Sequence, residues 1–274
     1  MPTVVDPTEL AALRALAETA ALAGGAVARD FFRRQFRVTL KADRTEVSDA
    51  DHAAQVAVVA AVAAVRPNDA FVTEEPLQLG PGMHPPPPAG DDALCWIIDP
   101  LDGTRNLVRG IPVYTCSVGV MLGGCPIVGA VYEPERDEMY SAHLGGVLFV
   151  NGQPWPRQRP AGLSSKLLVG VPAAPKGTLT EIAHRWLDRF VGRNFGSCAL
   201  HLAQVAAGQL DGMLSDNARL WDLAAGWVLV SASGGRITTP NGQPLFPANV
   251  SSSADSELPF IAGHGGVFDE LLAV

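Results

Sequence analysis

Apolar positions along the chain fall into stretches of helical spacing and stretches of strand-like spacing, and the order of the two predicts the architecture. Residues 8–37 read as a long amphipathic helix, capped by Thr8, with Glu9 in its first turn and Gly24-Gly25 as a point of bending. A polar hairpin-like segment, residues 41–51, leads into an Ala/Val-rich helix over 49–65, for which Ser48 or Asp49 is a suitable cap. A strand over 70–73 precedes a Pro-rich surface loop, 80–90, whose proline run 85–88 reads as a rigid spacer. Strands over 117–122, 127–132, 138–142 and 147–149 predict an antiparallel meander. From residue 151 the pattern alternates: a strand over 167–171, helices over 179–190 and 198–208, a strand over 212–214 and a helix over 223–233. This order predicts an α+β lobe, residues 1–150, followed by an α/β lobe, residues 151–274, without internal repeats.

One junction in this pattern carries candidate chemistry. In Trp96-Ile97-Ile98-Asp99-Pro100-Leu101-Asp102-Gly103-Thr104-Arg105-Asn106 an apolar strand runs into two carboxylates, a glycine and a hydroxyl. Pro100 and Gly103 are expected to break the strand after Asp99, leaving the acids at its end. Asp99 and Asp102, three residues apart around a turn, can then face one cavity, where a hard divalent cation prefers oxygen ligands. Leu101 can add its carbonyl. A helix starting near Gly103 would offer the free amides of Gly103 and Thr104 to a phosphate. Taken alone, an Asp-Gly pair is more often an ordinary turn.

Three other segments bear on that choice. Phe71-Val72-Thr73-Glu74-Glu75 repeats the motif of a short apolar run ending in carboxylates, so Glu74 is a candidate for the same site, although a Glu pair is commonly a solvated strand end. Trp221-Asp222-Leu223-Ala224-Ala225-Gly226 has helical spacing with an acid in its first turn, which alone reads as a dipole-complementing residue. The segment from Lys41 to Asp51 is polar and reads alone as a capped helix start.

In order and spacing these four segments resemble the inositol monophosphatase family of Mg2+-dependent, typically lithium-sensitive phosphomonoesterases. The core W-I-I-D-P-L-D-G-T-R-N-L and the distal W-D-L-A-A-G carry the resemblance, and it extends through Gly129-Ala130-Val131-Tyr132-Glu133-Pro134, Asn151-Gly152, Gly196-Ser197-Cys198-Ala199-Leu200 and Ser233-Gly234-Gly235, covering nearly the whole chain. The resemblance implies a layered αβαβα sandwich of the inositol monophosphatase and fructose-1,6-bisphosphatase type, with metals between the lobes. It implies Glu74, Asp99, Asp102, Asp222 and the Leu101 carbonyl as metal ligands, and two to three Mg2+ ions as cofactor. It implies Thr104 as the group orienting the attacking water, with the amides of Gly103 and Thr104 on the phosphate and Lys41 as a nearby positive group. Gly196, Ser197, Ser215 and Arg219 are the implied substrate contacts. The implied mechanism is in-line displacement by metal-activated water, with no enzyme nucleophile. The family also suggests a homodimer.

Two positions depart from the commonest pattern of the family. Many relatives carry, before the hydrophobic-Val-Thr element, an Asp hydrogen-bonded to the catalytic Thr, and here that position reads as Thr45. Seven residues before the distal metal Asp, inositol-hydrolysing members usually have a Glu; here the position is Ser215, which alone reads as a loop residue facing solvent. Arg219 either favours a second anionic group or extends into solvent. The expected activity is hydrolysis of a small phosphorylated alcohol such as an inositol phosphate. Histidinol phosphate, a nucleotide 3'-phosphate, and a non-catalytic metal-dependent phosphoester-binding protein are the alternatives.

Composition narrows the other classes. The 274 residues, 47% of them hydrophobic, suffice for one large core or two closely packed lobes. With 20 basic and 28 acidic residues the net charge of −8 gives no basis for nonspecific nucleic-acid binding. Motifs for a serine nucleophile elbow, a zinc protease helix, a P-loop or a dinucleotide fold are absent from the sequence. The histidines, at 52, 84, 143, 184, 201 and 264, are scattered and are poor ligands for a hard cation. Cys95, Cys116, Cys125 and Cys198 lie in apolar segments without a C-x-x-C pair and read as buried free thiols, consistent with a cytoplasmic location. Charged residues interrupt the N-terminal apolar pattern, so no signal peptide is expected, and the apolar stretch 116–132 is broken by Gly and Pro and reads as sheet core rather than a membrane helix.

Overall fold

The computed structural model describes residues 5–34, 38–40, 46–77, 93–156, 166–173, 179–253 and 256–274. In chain order the elements are α1 (Pro7–Phe32), β1 (Val38–Leu40), β2 (Glu46–Ser48), α2 (Asp49–Ala63), β3 (Ala70–Thr73), β4 (Cys95–Asp102), α3 (Thr104–Val108), β5 (Thr115–Leu122), β6 (Cys125–Glu133), β7 (Glu138–His143), β8 (Phe149–Val150) and β9 (Gln153–Pro154). They continue with β10 (Leu168–Gly170), α4 (Glu181–Arg189), β11 (Val191–Arg193), α5 (Cys198–Ala207), β12 (Gly212–Ser215), α6 (Leu220–Ala232), β13 (Gly235–Thr238), α7 (Val250–Ser253), β14 (Phe260–His264) and α8 (Gly265–Leu272).

Among the described residues, strands β3 to β9 form one sheet in sequence order, and a second sheet has the order β11-β10-β12-β14-β13. Five layers result. Trp96, Ile98, Val118 and Ala130 of the large sheet pack with Leu13, Ala17 and Val58 of α1 and α2. On the opposite face Ile97, Val131 and Tyr140 pack with Leu202 of α5 and Leu223 and Val228 of α6. The small sheet comes next, covered on its far side by Trp186 of α4 and Phe268 of α8. This is the αβαβα sandwich that the family resemblance implies. Burial of both faces explains why β4 reads as an unbroken apolar run rather than an alternating one.

The fit of α6 against the large sheet depends on two glycines paired across β5 and β6, Gly119 and Gly129. A β-carbon on Gly129 would lie 2.3 Å from the Ala225 carbonyl oxygen, and one on Gly119 3.0 Å from the Ala224 β-carbon. Helix backbone therefore rests directly on strand backbone, which brings the first turn of α6, with Asp222, toward the end of β4. Gly24 and Gly25 serve α1 in the same way. Their β-carbons would collide with Val58 and Cys116, and with Tyr132, so the pair marks close packing inside a continuous helix rather than a bend.

Helix α1 is long and apolar enough to cross a membrane by length and composition. Its buried face, from Leu10 to Ala28, instead packs on α2 and the large sheet. Its cap is Asp6, not Thr8: the Asp6 carboxylate accepts the Thr8 N–H at 2.7 Å, and Pro7 takes the first helical position, where its missing donor costs nothing. The stretch 116–132 forms β5 and β6, as expected of sheet core. Strands β9, β11, β13 and β14 and helices α7 and α8 had no counterpart in the sequence pattern; all of them are short. The Pro-rich loop lies outside the described residues, as do Lys41 and Thr45.

Glu133, at the end of β6, is 3% exposed and pairs across the ladder with Glu138. Its Oε2 has no hydrogen-bond partner, and the Arg136 guanidinium lies 3.7 Å away. Burial, against the pull of Arg136 and reinforced by Glu138, pushes its carboxyl up to about 7. A carboxyl raised in the folded state stabilises the fold most below its unfolded value, and that stability is lost as pH rises through about 7. Glu133→Gln is expected to remove this loss. The variant should melt with wild type at pH 4 and above it at pH 8 by roughly 1–3 kcal/mol of stability, a shift of several degrees in a pH series of thermal melts.

Candidate active site

The site is built where β3 and β4 end side by side. The two strands are parallel, with Thr73 opposite Ile98, and the Glu74 N–H donates to the Ile98 carbonyl at 3.1 Å. Parallel pairing sends both strand ends the same way, so Glu74 arrives next to Asp99 and the two carboxyl groups are hydrogen-bonded.

Asp99 and Asp102 bring their carboxylate oxygens together by a route the sequence did not reveal. Residues three apart on a regular strand face opposite ways. Strand β4 does not stop after Asp99 but runs on to Asp102, with a register shift: Asp99 pairs with Ser117 and Asp102 with Thr115. Three steps on β4 thus oppose two on β5, and this bulge at Pro100, which has no N–H for the ladder, returns Asp102 to the face of Asp99. Gly103 then turns the chain with φ +111°, its α-carbon pressed against Tyr114 so that a β-carbon would lie 3.1 Å from the Tyr114 backbone. Helix α3 begins at Thr104, but with five residues it contributes free amides more than a dipole.

Asp222 comes from the first turn of α6, where its Oδ2 accepts the Arg219 N–H at 2.6 Å. Arg219 thus enters the site through its backbone. One carboxylate oxygen each from Asp99, Asp102 and Asp222 lie within 4.8 Å of one another. Burial, followed by the charges of Glu74, Asp102 and Asp222, holds the Asp99 carboxyl well above the usual range. Burial raises Asp102 and Asp222 as well, opposed at Asp102 by donors from Ser197, Ala199 and Cys198. So many anions at this spacing need a counter-charge, and oxygen ligands converging on one point suit a hard divalent cation.

Thr104 sits beside them. Its hydroxyl lies 2.7 Å from Asp51 Oδ1 and 3.1 Å from the Leu101 carbonyl. Asp51 is 1% exposed, and its other oxygen accepts the N–H and the hydroxyl of Ser48 at 2.7 and 2.6 Å. Among the described residues the acidic partner of Thr104 is therefore Asp51, while Thr45 lies outside them. Sequence reasoning missed Asp51 because its spacing to Ser48 reads completely as a capping box. It is one, through Oδ2, while Oδ1 is turned to Thr104.

A cavity of about 190 Å³ opens beside the acids, lined among others by Asp102, Asp222, Gly196, Ser197, Cys198 and Ser215. Ser197 caps α5, accepting the Leu200 N–H, and donates its hydroxyl to Asp102 Oδ2 at 2.7 Å. The Ala199 N–H reaches the same oxygen at 2.6 Å. Ser215 is not a solvent-facing loop residue: it ends β12, is 5% exposed and hydrogen-bonds Cys198. Cys125 and Cys198 are half-buried rather than buried, and Cys198 faces the cavity. His201, also on the cavity wall, is a further residue the sequence did not single out. Its Nε2 accepts the Phe195 N–H at 3.0 Å, and burial pushes it down to about 4, so it is neutral.

Known proteins are similar to this chain in sequence and fold. The model of the inositol monophosphatase family matches residues 9–267. An inositol-1-monophosphatase of Mesorhizobium japonicum is 33% identical over 258 residues, covering 90% of this chain and 92% of the relative. The solved structure of the extragenic suppressor protein SuhB from Bartonella henselae superposes with a TM-score of 0.79 at 28% identity, over 96% of this chain and 97% of that one. The structure of an inositol monophosphatase from Anabaena (Nostoc) sp. PCC 7120 does so with a TM-score of 0.77 at 27% identity, over 97% and 95%. The bulged strand end with its converging acids, the five-layer fold and these matches together place the chain in the inositol monophosphatase family.

Proposed function

We propose that this protein hydrolyses a small phosphate monoester with the help of Mg2+ held by Glu74, Asp99, Asp102, Asp222 and the Leu101 carbonyl. The observation that carries the reading is the convergence of three carboxylates, one buried and two half-buried, within 4.8 Å, next to the Thr104–Asp51 pair and an open cavity. The cations would neutralise the phosphate and lower the pKa of the attacking water. The remaining work falls to the chain. Thr104 donates a hydrogen bond to Asp51 Oδ1, which leaves its oxygen lone pairs free to accept one from the attacking water; as the water's proton moves to Thr104, the Thr104 proton moves to Asp51. Asp51 is fixed for this by Ser48. The amides of Gly103 and Thr104 hold phosphate oxygens, and Gly196, Ser197 and Ser215 border the leaving alcohol.

The alternative, a binding protein without turnover, draws on the departures at Thr45 and Ser215; the Thr104–Asp51 hydrogen bond supports turnover instead. An inositol phosphate is the first substrate to test, since relatives of this length carry that activity in their names. Phosphate release should be measured on inositol 1-phosphate, histidinol phosphate, fructose 1,6-bisphosphate, adenosine 3',5'-bisphosphate and glycerol 2-phosphate, with Mg2+, with EDTA and with added Li+. Release that needs Mg2+ and ranks the substrates supports the proposal. Silence across the panel, with Mg2+ binding verified by calorimetry, counts against it.

A further inference from the structure

Asn106 lies on α3 but reaches across to the loop before α5. Its Nδ2 donates both protons, one to the Val113 carbonyl at 2.7 Å and one to the Phe195 carbonyl at 2.6 Å. Val113 leads into β5, whereas Phe195 is 89 residues away in sequence and opens the segment that forms the cavity wall. The next residue, Gly196, has φ +77°, and a β-carbon there would lie 2.7 Å from Asn106 Nδ2 and 3.0 Å from its Oδ1. The loop backbone therefore rests on the carboxamide itself.

The start of α5 depends on this seat. Immediately after Gly196 come Ser197 and Ala199, whose hydroxyl and N–H both bind Asp102 Oδ2. On the other side, the Asn106 N–H donates to the Gly103 carbonyl at 2.9 Å, and the Asn106 carbonyl accepts the Ile111 N–H at 2.8 Å. Backbone bonds thus tie Asn106 to the Gly103–Thr104 turn, and its carboxamide is tied to the wall of the cavity. A carboxamide suits the task because both of its N–H donors meet buried or half-buried carbonyls, where an unmet acceptor is costly.

We propose that Asn106 is a positioning residue that sets the cavity wall, Gly196–Cys198, at a fixed distance from the turn that holds the phosphate. This rests on the phosphatase reading above: the wall borders the leaving alcohol, and the turn holds the phosphoryl group. Losing the clamp loosens the hold of Ser197 and Ala199 on Asp102 and lets the alcohol drift out of line, and small misplacements of a reacting group cost large factors in rate.

The test uses Asn106→Ala and two readouts. Hydrogen exchange of the full-length protein, followed by NMR or mass spectrometry, should show the amides of Ala199 and Leu200 exchanging at least about tenfold faster than in wild type, with amides of β5 and β6 unchanged. In turnover, kcat/KM for the best polyol phosphate should fall at least about tenfold more than for 4-nitrophenyl phosphate, whose ring lacks hydroxyls for the wall to hold and whose phenolate leaves readily. Unchanged exchange at Ala199 and Leu200, or an equal loss on both substrates, overturns the proposal. Wild-type protein that hydrolyses neither substrate overturns the phosphatase reading, while the exchange experiment still decides the clamp. If Asn106→Ala fails to fold, Gly196→Ala presses on the same contact from the other side and should give the same signature.

Discussion

Asp99→Asn is expected to lower phosphate release at least about a thousandfold, roughly 4 kcal/mol in activation free energy, and at the same time to raise the melting temperature of the metal-free protein. The two effects have one cause. Asp99 is 2% exposed, hydrogen-bonded to Glu74, and surrounded by Asp102 and Asp222, so in the absence of cations its charge is opposed by burial and by each neighbour. An amide of the same shape removes one anion from that group, which stabilises the metal-free fold. The same exchange removes a charged ligand from the place where cations would bind, so Mg2+ should raise the melting temperature of wild type more than that of the variant. Paired melts with EDTA and with Mg2+, alongside steady-state turnover, check both halves. A variant with normal turnover, or a metal-free melting temperature below that of wild type, would contradict the account.

The second large effect is expected at Asp51. Asp51→Asn should reduce kcat by about a hundredfold to a thousandfold, the range typical of general acid–base groups, with little change in KM. Thr104→Ala should do the same, and the double variant should be scarcely worse than either single one, because the two side chains act as one unit through a 2.7 Å hydrogen bond. Additive losses would mean that Asp51 acts only as the cap of α2, through its bonds to Ser48. A melting curve separates the structural part. Loss of the Ser48 cap costs stability of about 0.5–2 kcal/mol, whereas loss of the proton acceptor costs rate.

Much of this site was legible in the sequence, and the parts that were not have identifiable causes. Asp99 and Asp102 stand out because carboxylates at the end of an apolar strand are chemically conspicuous, whereas Asp222 alone reads as a dipole-complementing residue and joins them through the family resemblance. Glu74 stood out less, yet the apolar run before it made its strand predictable, and parallel pairing with β4 did the rest. The bulge at Pro100 was not legible. Spacing alone says that residues three apart on a strand diverge, and only the register against Ser117 and Thr115 shows that they do not. Asp51 was hidden because a carboxylate has two oxygens and its local role, capping α2, already explained its position completely. Asn106 was visible within a motif, but its partner carbonyl at Phe195 is fixed only by the meeting of α3 with the loop before α5. Periodicity predicts an α+β lobe followed by an α/β lobe, while the layered sandwich is what the family resemblance implies. The strands that periodicity missed, β9, β11, β13 and β14, derive their stability from neighbours rather than from their own pattern.

The most direct test of the central claim, that phosphate release at the carboxylate cluster proceeds by attack of water at phosphorus and needs divalent cations, is hydrolysis of the best substrate in 18O-enriched water with Mg2+ and, in parallel, with excess EDTA. The account predicts one solvent-derived oxygen in each phosphate released in a single turnover, none in the alcohol, and no turnover in EDTA. Label in the alcohol, or release that persists without divalent cations, would contradict it.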